Sequence, residues 1–124
     1  FKFDQYGQWG KSGVITKRQT SVNDDGEYSS FSAAKSNANN IVILFNDNPK
    51  NIEKSISESR VAAAGRKTFL RSVQITQSGV QTTKVITSSS RFKNITPTKS
   101  SQLLDGKTYL LSERRRKMSL IIVE

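Results

Sequence analysis

Apolar residues along this chain come singly or in short runs, and where they recur they alternate with polar ones at a spacing of two, as in half-buried strands. Phe1 and Phe3 alternate with Lys2 and Asp4, and Gly7 precedes Gln8 and Trp9, which predicts a strand, a turn and a second strand. Residues 14–16 resume a β-branched run, and the polar residues 19–27 predict a loop. The small and aromatic run YSSFSAA at 28–34 predicts a strand that pairs, through the Asn-rich turn at 37–40, with IVILF at 41–45. Five apolar residues in succession predict cover on both faces of that strand. It ends at 46–51, NDNPKN, because Pro49 fixes its own φ and pushes Asn48 toward extended geometry.

Residues 52–64 read as an irregular insertion that returns to a strand near Val61. Residues 67–76 alternate, with Phe69, Val73 and Ile75 on one side, Gly79 turns the chain, and 80–87 continue as a strand. Residues 88–90 and the surroundings of Pro97 predict loop. Residues 102–104, the turn Asp105-Gly106 and 108–111 predict a further pair, with 108–111 as buried as 41–45. A basic tip at 113–117 leads into a final strand at 118–123.

The pattern repeats. FKFDQYGQW from Phe1 stands over VQITQSGVQ from Val73, VIT at Val14 over VIT at Val85, and NNIVILFNDN from Asn39 over DGKTYLLSER from Asp105, at offsets of 72, 71 and 66. Each copy holds about four short strands, the content of one propeller blade or one small antiparallel sheet. The expectation is an all-β chain forming one β domain over 1–124, with internal repeats over roughly 1–51 and 60–124. The repeats would form two consecutive four-stranded antiparallel blade-like sheets, a partial β-propeller, with a small β-sandwich or barrel as the alternative. Two blades leave apolar faces to cover, so the missing partner is expected to be upstream blades, another chain of a complex, or further copies of this one.

Composition narrows the chemistry. With 124 residues, the chain has the length of one ordinary domain. It carries 20 Lys and Arg against 10 Asp and Glu, a formal charge of +10, which attracts polyanions without ranking them. The absence of Cys removes disulfides, thiolate nucleophiles and Cys-ligated zinc, and the absence of His removes Ser-His-Asp chemistry and histidine metal sites. No cofactor is expected. No run of about 18 apolar residues predicts a membrane-spanning helix, and the first residues do not have the pattern of a signal peptide.

FDQYGQW, KRQTSVNDDGEYSSF, FNDNPKN and the terminal GKTYLLSERRRKMSLIIVE together resemble the C-terminal part of a group of uncharacterised secreted β-propeller-like repeat proteins of Bacteroidetes. The resemblance covers most of the chain and is sharpest in the loops around Asp24 to Tyr28 and Asn46 to Asn51. It implies a scaffold in the periplasm, at the outer membrane or outside the cell, and supplies no active site. Two blades are fewer than a closed propeller has.

Three clusters are candidate sites. Asp24, Asp25 and Glu27 surround a glycine and offer the oxygen ligands that calcium requires, without EF-hand spacing; a turn whose carboxylates bond backbone amides uses the same residues. Asn46, Asp47, Asn48 and Asn51 follow the apolar strand, where their side chains would bind a ligand such as a sugar or satisfy loop backbone. Arg114, Arg115, Arg116 and Lys117 would hold an anion or a partner, or form a solvated tip that discourages edge aggregation. No enzyme is expected, since nothing in the sequence fixes the separation of Asp24 and Asp47 as a catalytic pair. The expected function is a noncatalytic structural or interaction module, with a nucleic-acid- or polyanion-binding β domain as the alternative.

Overall fold

The structure, a computed structural model, describes residues 2–3, 6, 9–11, 14–20, 28–36, 38–55, 58–64, 68–79, 81–87, 101–102, 107–114 and 117–123. Among them the chain is all-β, with one 3-10 turn and no α-helix. Strand β1 (Lys2–Phe3) and strand β2 (Trp9–Lys11) form an antiparallel ribbon. Strand β3 (Gln19–Thr20) runs parallel to β6 (Ala63–Ala64). The largest sheet is four-stranded and antiparallel: β4 (Phe31–Lys35), β5 (Ile41–Asp47), β7 (Phe69–Ile75) and β8 (Gln81–Thr87), in the order β4-β5-β7-β8. The last sheet holds β9 (Ser101–Gln102), β10 (Thr108–Arg114) and β11 (Lys117–Val123), in the order β11-β10-β9.

Turn chemistry sets two of these hairpins. Between β4 and β5, Asn39 takes φ 58°, a left-handed position that Asn tolerates, while its N–H bonds Ser36 O at 2.9 Å and Ser36 N–H bonds Asn40 O at 2.8 Å. Between β7 and β8, Gly79 takes φ 85°, where a Cβ would be strained, and its N–H bonds Thr76 O at 2.9 Å.

The core lies between the two larger sheets. Leu44 of β5, Leu70 of β7 and Leu110 of β10 are fully buried together, with Val42, Ile86, Ile121 and Val123 packed against them. Leu44 and Leu110 stand 66 positions apart in sequence and meet in one cluster. Burying each leucine contributes about 1.5–3 kcal/mol relative to leaving it exposed.

The division into sheets differs from the expected one. β5 pairs with β7 over seven residues, from Ile41 opposite Ile75 to Asp47 opposite Phe69, so β7 and β8 join β4 and β5 in one sheet rather than opening a second. A central strand has its backbone groups paired on both edges, and β5 pairs with β4 over five residues and with β7 over seven. Both sheets are open among the described residues, and no propeller closure is present there.

Burial along β5 is graded: Ile41 is half exposed, Val42 and Ile43 are half buried, and Leu44 to Asp47 are buried. On β10, Thr108 and Leu110 are buried whereas Tyr109 and Leu111 are half buried, because one face of that sheet meets the core and the other does not. Residues 14–16 form no strand. The Thr16 hydroxyl donates to Glu58 O at 3.2 Å, tying this segment to a loop instead of a ladder.

Candidate functional site

The apolar alternation of β5 stops at Asn46 and Asp47, and both are buried. Asn48 then takes φ −75° and ψ 135°, and its side-chain oxygen accepts from Lys50 N–H at 2.9 Å, capping a 3-10 turn, Pro49–Asn51. The turn folds the chain back, and the side chains of Asn51 and Arg60 reach Asp47 at the end of β5.

Each oxygen of Asp47 accepts two hydrogen bonds. Oδ2 receives Arg60 Nη1 at 2.9 Å and Arg71 Nε at 2.8 Å, and both ion pairs are 1% exposed at either partner. Oδ1 receives Asn48 N–H at 2.8 Å and Asn51 Nδ2 at 2.6 Å. The other nitrogens of the two guanidinium groups are bonded as well. Arg60 reaches Thr16 Oγ1 at 3.2 Å and Ser55 O at 2.7 Å; Arg71 reaches Thr83 Oγ1 at 2.9 Å and Asn51 O. Arg71 also lies 5.1 Å from the ring centre of Phe69, a cation–π distance in a dry setting.

The asparagines bind loop backbone. Asn51 accepts Val61 N–H at 2.9 Å and donates to Val61 O at 2.8 Å, the two-point contact of an added strand residue. Asn48 Nδ2 donates to Ala62 O at 2.8 Å, and Asn46 Nδ2 donates to Tyr28 O at 3.1 Å. Gln19 Nε2 donates to Asn46 O at 2.7 Å, so the cluster fastens β3 and the segment before β6 to the main sheet.

Two arginines and one carboxylate leave a local charge of about +1 in a buried place. Burial draws the Arg60 guanidinium below its ordinary value; Asp47 acts against that shift, and the charge of Arg71 acts with it. Arg60 remains protonated under such pressure.

The four residues at the end of β5 are thus brought together, as their spacing suggested, with bonds directed inward. Arg60 and Arg71 are the members that sequence reasoning missed. Arg71 shares a face with Phe69 and Val73, opposite the face that carries Leu70 into the core, and β7 is buried on both faces from Phe69 to Val73, so alternation alone does not single it out. Arg60 carries no local signal, since it belongs to an irregular segment.

Asp24, Asp25 and Glu27 lie outside the described residues, as do Arg115 and Arg116. Arg114 and Lys117 face each other in the register that closes the β10–β11 hairpin. Among the described residues no group of three His, Cys, Asp or Glu is placed to hold a metal ion, and no helix is long and apolar enough to cross a membrane. Elsewhere, the exposed ring of Phe31 has Lys17 Nζ 5.7 Å from its centre; Lys17 donates to Ser29 O at 2.8 Å, and burial lowers its pKa. Comparison with known protein families, curated sequences and solved structures yields no match.

Proposed function

We propose that this chain is a noncatalytic structural or interaction module, one section of a larger propeller-like β assembly in a secreted or cell-envelope protein. The observation that carries the reading is the state of Asp47. A general base or nucleophile needs a lone pair directed at substrate, and both oxygens of this carboxylate are occupied by internal donors, among them two guanidinium groups. A cluster so bonded acts as a rivet between β5 and the covering loop, leaving function to surfaces. The resemblance to secreted β-propeller-like proteins supports the setting.

The test is a panel of glycoside, phosphoester and peptide substrates offered to the wild type and to Asp47→Asn. No turnover by either protein is expected. Turnover by the wild type that a folded Asp47→Asn variant loses would overturn the reading.

A second reading, a polyanion-binding β domain, is favoured by the charge of +10 and by one surface group: Phe31 with Lys17 over its ring and exposed Lys35 on the same strand face. Titration with single-stranded DNA across a salt series separates the two, since a steep loss of affinity with salt belongs to the second and indifference to the first.

A further inference from the structure

Strand β11 differs from the outer strands of the four-stranded sheet. It ends its sheet, with β10 on one side and no strand on the other among the described residues. Exposed edges in soluble proteins are usually guarded by charge, proline or bulges. β4, at one end of the four-stranded sheet, carries exposed Lys35, and β8, at the other end, carries exposed Lys84 near its middle. β11 has its one charge at the first residue, Lys117, and residues 118–123 contain neither a charge nor a proline in a chain that is 24% charged. Its seven-residue register with β10 runs without a bulge.

The same strand also carries, among the described residues, the most regular exposed apolar row. Met118, Leu120 and Ile122 are 67%, 60% and 51% exposed, successive positions on the face turned from the core. Half-buried Leu111 and Tyr109 stand opposite Leu120 and Ile122 and extend the patch. Scattered apolar residues on a surface are ordinary, whereas a contiguous row along an unguarded edge marks an interface.

Register identifies the occupant. The hairpin closes on Arg114 opposite Lys117 with two residues between them, so that pair and every second one after it exchange the ladder bonds. Met118, Leu120 and Ile122 then direct their N–H and C=O groups toward the open edge. An antiparallel copy of β11 centred on Leu120 sets Leu120 opposite Leu120 and Met118 opposite Ile122, so the apolar row continues into itself under two-fold symmetry. It also keeps the two Lys117 residues six positions apart, ~20 Å along the strands at ~3.3 Å per residue. That is beyond the ~8 Å screening length at physiological salt, so the repulsion between them is weak. A parallel pairing in the same register would stack the lysines side by side.

Resting on the interaction-module reading, we propose that β11 is a homodimer contact. A second copy of this chain adds its own β11 antiparallel to the first, about a two-fold axis at Leu120, and joins the two β10–β11 sheets into one.

The test uses the full chain in two measurements. Sedimentation equilibrium over a dilution series is expected to show a reversible monomer–dimer equilibrium for the wild type. Leu120→Lys, which sets two charges directly opposite each other, should weaken it by at least about tenfold. Leu120 is exposed, so this variant is expected to keep the wild-type circular dichroism; if it misfolds, the second measurement decides alone. Because the chain has no cysteine, single thiols report register cleanly. Under mild oxidation Leu120→Cys should form a covalent dimer much faster than Ile122→Cys. The two 120 positions would lie ~5.5 Å apart, within disulfide reach, and the two 122 positions ~13 Å apart. A wild type that stays monomeric at every concentration overturns the proposal, as does a dimer indifferent to Leu120→Lys or equal cross-linking of the two thiol variants. None of these outcomes touches the noncatalytic reading, which the turnover assay on Asp47 decides.

Discussion

Replacing Asp47 by Ala removes the point where two buried guanidinium groups meet, and the structure sets the size of the effect. Arg60 and Arg71 each lose an ion pair under 3 Å, and Asn48 N–H and Asn51 Nδ2 lose their acceptor. Breaking a buried pair by deleting one partner costs about 3–5 kcal/mol, because the charge left behind stays desolvated. Here two such charges remain, repelling one another, which places the cost near the upper end. Partial rescue comes from the bonds Arg60 keeps to Thr16 and Ser55 and those Arg71 keeps to Thr83 and Asn51. Set against a total stability of about 5–15 kcal/mol for a domain, the loss is a large fraction. Urea unfolding followed by circular dichroism measures it. With a slope of about 1–3 kcal/mol per molar, the midpoint should fall by about 2 M at unchanged slope. Arg71→Met alone leaves Asp47 paired with Arg60 and should cost less. The double variant should cost less than the sum, with a coupling of about 1–3 kcal/mol. A loss under about 1 kcal/mol for Asp47→Ala would refute the argument, since it would mean that water reaches the cluster and solvates the stranded charges.

The remaining predictions concern the core and one surface turn. Leu110→Ala and Leu44→Ala should each destabilise by about 2–5 kcal/mol in thermal melts, because both open a cavity at the same junction between sheets; a shift below about 1 kcal/mol for Leu110→Ala would show that the sheets do not depend on that contact. Glu58 accepts Ser55 N–H at 2.7 Å, and this backbone bond, then the Ser55 side chain, hold its carboxyl below the ordinary 4.5. A folded value below the unfolded one gives stabilisation that is present above 4.5 and lost as pH falls through the folded value. Glu58→Gln should flatten that part of the stability–pH curve, and identical curves for variant and wild type would contradict the assignment.

Much of the local structure was legible because it depends on neighbours in sequence. The strand over Phe69–Ile75, the turn at Gly79 and the stop at Asn48 and Pro49 appear where steric rules place them, whereas the expected one-sided alternation does not, since Phe69 to Val73 are all buried. The same rules misled at Val14 to Thr16, where a β-branched run matching VIT at Val85 forms no strand; one copy found a ladder partner in β7, and the other is tied by side-chain bonds to the 58–60 loop. The site was half legible. Four polar residues after an apolar run announced a bonded turn, while the two arginines that complete it lie 13 and 24 positions beyond Asp47 and reach it only through folding.

By itself the sequence determined strand content, the turns at 38–40, 48–51 and Gly79, the absence of histidine and cysteine chemistry, and the positive charge, since each follows from residue type or spacing of a few positions. Tertiary structure alone decided which strands pair, which faces are covered and where Asp47 finds its counter-charges. β5 had equally good local reasons to sit in a sheet of the first half alone. It was the seven-residue match between β5 and β7, and the burial of Leu44 against Leu110, that joined the halves. Pairing and burial are sums over contacts distant in sequence, offset against the entropy of closing the loops between them, and no local pattern carries that sum.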